Sequence, residues 1–151
     1  MLRSYLLRKI KVQISRVKLK NWRNFRDAEA RDLADVSYIL GPNASGKSNL
    51  LDALRFLRDI AKSKGGGLQV AIEARGGIKK IRCLHARKDT EVLIEVDVSE
   101  QDGKLAWTYA VSFNLPAKGH REPEINREYV CSYDDDGKQH DILDRPNPGD
   151  N

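Results

Sequence analysis

Gly41-Pro42-Asn43-Ala44-Ser45-Gly46-Lys47-Ser48 is a complete G-x-x-x-x-G-K-[ST] octet, and the residues on either side of it decide how the chain is read. Gly41 and Gly46 lack a Cβ, so successive backbone N–H groups can turn inward as a nest around phosphate oxygens. A helix that follows such a loop adds the unpaired amides and the positive end of its first turn. In that frame Lys47 reaches the β- and γ-phosphates as a mobile point charge. The Ser48 hydroxyl ligates the Mg2+ that bridges them. The ligand class implied is a nucleoside triphosphate. An accidental match to four constrained positions is expected about once per few hundred chains of this size, and the flanks make accident less credible still.

Upstream, Val36-Ser37-Tyr38-Ile39-Leu40 reads as a buried strand. Downstream, Leu50, Leu51, Leu54, Leu57, Ile60 and Ala61 recur at helical spacing. Lys62 and Lys64 suit the last turn of that helix, and Gly65-Gly66-Gly67 stops it. Strand, loop and helix stand in the order that a phosphate-binding loop requires.

Residues 14–19 read as a first strand and residues 28–33 as a weaker second one. Small nucleotide kinases usually begin with the phosphate-binding strand, and this chain places two strands before it. Beyond the helix, Leu68, Ala71 and Ile72 fit a short helical turn closed by Arg75-Gly76-Gly77, and residues 78–84 read as another strand. Val92, Ile94, Val96 and Val98 then alternate strictly, as do Leu105, Trp107, Tyr109, Val111, Phe113 and Leu115, around Asp102-Gly103. Period-two alternation about Asp-Gly predicts a β-hairpin with one face buried. A second hairpin is predicted with Ile125, Tyr129, Cys131 and Tyr133 on one face and a turn at Asp136-Gly137. Residues 116–123 join the two hairpins, and residues 145–151 read as a frayed, turn-rich tail.

The 151 residues are 40% hydrophobic and 32% charged, enough for one domain with a real core. No apolar run approaches the roughly 20 residues of a membrane span, and Tyr5-Leu6-Leu7 falls short of the about 7 to 15 apolar residues of a secretory signal core. The expectation is a cytoplasmic protein without a membrane partner. Cys83 and Cys131 lie apart from any ligand spacing, which argues for reduced thiols and against zinc. His85, His120 and His140 are read as solvated side chains. The net charge of +5 is uneven: Arg3, Arg8, Lys9, Lys11, Arg16, Lys18, Lys20, Arg23 and Arg26 precede the first acidic residue, and Lys79, Lys80, Arg82, Arg87 and Lys88 form a second cationic stretch. Such residues suit either a nucleic-acid surface or an ordinary solvated one.

Two segments together resemble a family. Val17-Lys18-Leu19-Lys20-Asn21-Trp22-Arg23-Asn24-Phe25 is similar to the "lrIkNFRsF" signature, and residues 39–54, from Ile39 through Asn49 to Leu54, to the "liGpNgsGKSNlldAl" signature, of the amino-terminal lobe of ABC-type AAA-family ATPases of the RecF, SMC and OLD-like group. The resemblance is specific over residues 14–57 and architectural beyond. Trp22 replaces the usual Phe and Ala44 the usual Gly. It implies an α/β P-loop NTPase fold, with a mixed core sheet around the loop and helix and an antiparallel β-hairpin subdomain. It also implies ATP and Mg2+ as ligands, with Ser48 on the metal. Arg23 and Asn24, in the turn between the first two strands, join residues 41–49 against the nucleotide, Arg23 near the adenine or the phosphates. The expected organisation is a single lobe: residues 11–64 for strands, loop and first helix, 65–90 as connection, 91–144 as hairpins and 145–151 as tail.

Hydrolysis in this group resembles other phosphoryl transfer and needs a Mg2+-holding Asp and a water-activating Glu after an apolar strand. Four apolar residues followed by Asp-Glu do not occur. Glu95 and Asp97 fall on alternating positions expected to face solvent, and no Leu-Ser-Gly-Gly-like signature is present. Gln69 is only a weak candidate for a Q-loop. The expectation is therefore an ATP-binding lobe in DNA maintenance, repair or defence. A carboxy-terminal half, or a second head in a head-to-head dimer, would complete its hydrolytic site. The alternatives are a free-standing P-loop nucleotide kinase and a DNA- or partner-binding module with a vestigial loop; no Asn-Lys-x-Asp segment supports a GTPase.

Overall fold

Alternating sequence becomes a single sheet. The computed structural model describes residues 11–86, 89–115 and 122–146, and its strands are β1 (Val12–Trp22), β2 (Phe25–Ala30), β3 (Val92–Glu100), β4 (Leu105–Asn114), β5 (Glu124–Tyr133) and β6 (Gln139–Arg145). They lie in the order β2-β1-β3-β4-β5-β6, with every neighbouring pair antiparallel. Val96 sits opposite Val17 on one side and Tyr109 on the other, so the apolar positions of three strands share one face. Gly103 at φ +88° closes the β3–β4 turn, donating its N–H to the Glu100 carbonyl at 2.9 Å.

That face is covered by α1 (Lys47–Ile60), with α2 (Leu68–Glu73) and α3 (Ile78–Ile81) beside it. Leu50, Leu54, Leu57 and Ile60 follow the helical period and pack on the buried cluster of Val17, Leu19, Ile94, Val111 and Phe113. Its centre is aromatic: the Phe56 ring lies 5.1 Å from Trp22 and 5.4 Å from Phe113, centroid to centroid. Among the described residues no helix is long and apolar enough to cross a membrane.

Several expectations are corrected here. Residues 36–40 form no strand; Val36, Tyr38 and Leu40 are 70, 85 and 89% exposed. The reason is geometric. Both edges of β1 are already taken, by β2 and β3, so the segment cannot enter the sheet beside β1, and it pairs with neither outer edge, at β2 or at β6. The expected mixed core sheet is likewise not seen among the described residues, where one antiparallel sheet runs continuously from β2 to the hairpins. Residues 78–84, expected as a strand, begin with α3, because Ile78 and Ile81 meet the core at an i,i+3 spacing; only Arg82 bridges to Trp22 as an isolated strand-like pair. The second strand starts at Phe25 rather than at residue 28. Glu95 and Asp97 lie on the outer face, as alternation requires. They are largely covered there, because Arg16 is held between them and Glu29. The expected loop at 116–123 falls mostly outside the described residues. Both cysteines are buried and unpaired.

Candidate nucleotide site

The chain reaches the site through a tight turn. Asn21 and Arg23 take left-handed backbone angles, φ +54° and +50°, which bring β1 back into β2 across the Trp22–Phe25 pair. The turn is pinned from below: Arg23 N–H donates to the Ile81 carbonyl at 2.5 Å, and Cys83 N–H to that of Asn21 at 2.9 Å. The buried Asn21 amide donates to the carbonyls of Asp89 and Glu91 at 3.0 and 2.8 Å. Trp22 is wholly buried and donates its indole N–H to the Asn49 carbonyl at 2.8 Å. Trp22 thus packs in the core and holds the first turn of α1.

Phe25 and Asn24 close on the loop from the same turn. A Cβ added to Gly46 would stand 2.5 Å from the Phe25 ring and 2.9 Å from the Asn24 amide, and Gly46 has φ +102°. Only glycine fits where the turn meets the start of the helix. The Asn49 amide donates to Asn24 Oδ1 at 2.7 Å, fastening turn to helix. A cavity of about 340 Å3 opens here, lined by Asn24 and residues 43–49.

The remaining loop residues are arranged as a cradle. Gly41, Pro42, Asn43, Ala44 and Ser45 are exposed, and Ala44 carries the left-handed φ of +62° that a glycine would adopt without strain. Lys47 Nζ donates to the carbonyls of Gly41 and Pro42 at 2.7 and 2.6 Å, which folds its charge back over the loop. Lys47 and Ser48 are the first two residues of α1, whose amides have no acceptor within the helix. An exposed loop, a helix start with unpaired amides and a lysine lying over it fit an anionic phosphate chain. Ser48, exposed at the same rim, supplies a hydroxyl of the kind Mg2+ takes.

Of the residues read from sequence, Asn24 and 43–49 line one cavity. Arg23 lines its neighbour, a space of about 620 Å3 that shares Asn24 and Asn49 with the first and also touches Lys79, Lys80 and Arg82. The Arg23 side chain is engaged: Nε and Nη2 donate to Asp52 Oδ2 at 2.9 and 2.6 Å. Asp52 stands inside the quoted signature yet drew no role from sequence, because its partners are 29 and 23 positions away.

Four of the six described members of the basic amino-terminal run pair with carboxylates. Lys11 pairs with Asp35, Arg16 with Glu29, Glu95 and Asp97, Lys20 with Asp89, and Arg23 with Asp52. Contacts with those carboxylates outweigh partial burial of the Arg16 guanidinium and raise its pKa further; the Asp89 contact does the same for Lys20. Among the described residues Lys79, Lys80 and Arg82 have no such carboxylate partner. Gln69 donates to the Pro123 carbonyl, and His140 meets Asp134 at 2.9 Å.

The comparisons with known proteins support an ABC-type AAA ATPase of the RecF and SMC group. The chain belongs to the family described as "AAA domain, putative AbiEii toxin, Type IV TA system", whose model matches residues 36–143. It is similar to the DNA replication and repair protein RecF of Lactococcus lactis subsp. cremoris (strain MG1363), 28% identical over 95 residues that cover 63% of this chain and 26% of that protein. The RecF of Bacillus cytotoxicus is 29% identical over 91 residues, covering 60% and 24%. The chromosome partition protein Smc of a Synechocystis strain is 42% identical over 55 residues, covering 36% and 5%. The chain thus spans about a quarter or less of the length of these curated relatives.

Proposed function

We propose that the chain is the ATP-binding amino-terminal lobe of a RecF/SMC/OLD-like ATPase acting in DNA maintenance, repair or defence. The observation that carries this reading is the junction at Gly46, where the β1–β2 turn closes against the phosphate loop at the start of α1. In this reading residues 41–49 hold the triphosphate, Lys47 swings from the Gly41 and Pro42 carbonyls onto the β- and γ-phosphates, and Ser48 ligates Mg2+. When bound, Mg2+ neutralises charge on the phosphates. Asn24 and Arg23 face the part of the nucleotide that extends past Asn49. All described elements then belong to one lobe, with residues 91–144 as its antiparallel extension.

Hydrolysis is assigned to this lobe only in combination with a carboxy-terminal half or a partner that brings the acidic residues. The exposed segment 36–40 supports the reading. Its apolar side chains and unpaired backbone suit an added strand. Beside it lies an apolar cavity of about 500 Å3 against Val12, Ile14, Leu33, Leu50 and Leu54. A mixed sheet would form when a strand of that half pairs there. The kinase alternative loses ground because the residues that should bind a phosphoryl acceptor form four antiparallel strands.

Titration of Mg-ATP into the chain and into Lys47→Ala tests the site. Loss of a charge-assisted phosphate contact is expected to weaken binding by about tenfold or more. Equal affinities would end the proposal. A second reading, contact with DNA, is favoured by Lys79, Lys80 and Arg82, which have no carboxylate partner among the described residues. Its mark is a DNA affinity that falls steeply with added salt, and a flat response would remove it.

A further inference from the structure

We propose that Asp52 is a positioning residue for the nucleotide site, acting through Arg23; the inference rests on the reading of residues 41–49 as that site. Asp52 lies one turn beyond Ser48 on α1, and each of its carboxylate oxygens holds a different arginine. Oδ2 accepts from Arg23 Nε and Nη2, while Oδ1 accepts from Arg75 Nε at 3.1 Å.

Arg75 is the anchor. Its side chain is 8% exposed, and it donates from Nη1 to the Ala71 carbonyl at 2.9 Å and from Nη2 to Asp59 Oδ2 at 3.0 Å. Its guanidinium also lies 5.0 Å from the centroid of the Phe56 ring. Every contact of Arg75 is to α1 or α2, so the helix pair fixes Asp52 before Arg23 meets it.

Arg23 is the more exposed partner. It is 26% exposed, and its Nη1 is 3.4 Å from the Lys80 carbonyl at the wall of the 620 Å3 cavity that shares Asn24 and Asn49 with the phosphate loop. A free arginine at a turn samples many rotamers, and ordering it costs side-chain entropy. Asp52 removes that freedom in advance, presenting a fixed cation where a nucleotide leaves the cradle. The contact also locks the β1–β2 turn to the helix that carries Lys47 and Ser48.

A double-mutant cycle on Mg-ATP affinity separates positioning from general support. Arg23→Gln is expected to weaken binding about tenfold, the loss of one charge-assisted contact. Asp52→Asn is expected to weaken it about three- to tenfold in the wild-type background and not at all in the Arg23→Gln background. Equal effects of Asp52→Asn in both backgrounds, or no effect in either, would overturn the proposal. Thermal melting of each variant shows whether it is folded at the titration temperature; should Asp52→Asn not be, Asp52→Glu carries the same comparison. Lys47→Ala serves as the separate control. If it binds as the wild type does, the nucleotide site itself is refuted, whereas a weakened Lys47→Ala beside an additive Asp52 effect refutes only the positioning role.

Discussion

At the scale of the residue, two neighbouring loop positions carry opposite tolerances. Gly46→Ala places a methyl 2.5 Å from the Phe25 ring at a backbone φ of +102°, so it is expected to cost about 2 kcal/mol or more in urea unfolding. Gly65, at φ +65° with no atom within 4 Å of an added Cβ, sets the contrast: Gly65→Ala should cost only about 1 kcal/mol of backbone strain. Ala44 presents the reverse case, an L-residue already held at φ +62° in an exposed loop. Ala44→Gly is expected to raise stability by about 0.5 kcal/mol, with the gain limited by the greater freedom of glycine in the unfolded chain. The motif itself was plain from the one-dimensional pattern, since its spacing is local. Phe25 closing on Gly46, and Asp52 holding two arginines, were not legible, because each contact joins residues more than 20 positions apart.

At the scale of the element, α1 ties sheet to site. Phe56 is fully buried and touches Trp22, Phe113 and Arg75. Phe56→Ala is expected to destabilise by about 3–5 kcal/mol, read by chemical denaturation. One carboxylate on this helix and one on β2 give a pH dependence. Lys62, Arg58 and Arg75 hold the Asp59 carboxyl well below the usual range, and Arg31 and Arg16 lower Glu29 to about 2. A carboxyl whose folded pKa is depressed contributes stability that is fully present above its unfolded value near about 4 and lost as pH falls through the folded one. The urea midpoint should therefore hold from pH 7 to about 5 and fall below about 4. Asp59→Asn should flatten that fall, and an unchanged slope would show that the ion pairs carry no acid sensitivity. Residues 78–84 illustrate why one element was misread: Ile81 and Cys83 alternate as in a strand, whereas Ile78 and Ile81 stand one helical turn apart, and packing on the core chose the helix.

At the scale of the whole molecule, the helix-facing side of the sheet is closed by α1, while residues 36–40 lie open. Replacing Val36 by Thr and Leu40 by Lys together is expected to leave the unfolding midpoint within about 0.5 kcal/mol, because both side chains are exposed. The same pair should reduce self-association in sedimentation at high concentration, and a large loss of stability would mean that the segment packs after all. Here sequence and tertiary structure divide the account. The sequence by itself determined the G-x-x-x-x-G-K-S motif, the helix that follows it, both hairpins with their Asp-Gly turns and the family, since each rests on neighbours within a few positions of one another. Only the tertiary structure decided that residues 36–40 stand outside the sheet, that much of the basic amino-terminal run is spent on carboxylates, and that Arg23 is held by Asp52. Strand pairing and charge pairing are long-range relations: a strand pattern becomes a strand only when its backbone meets a partner, and whether a cation stands free or is held in place depends on the carboxylates folded beside it.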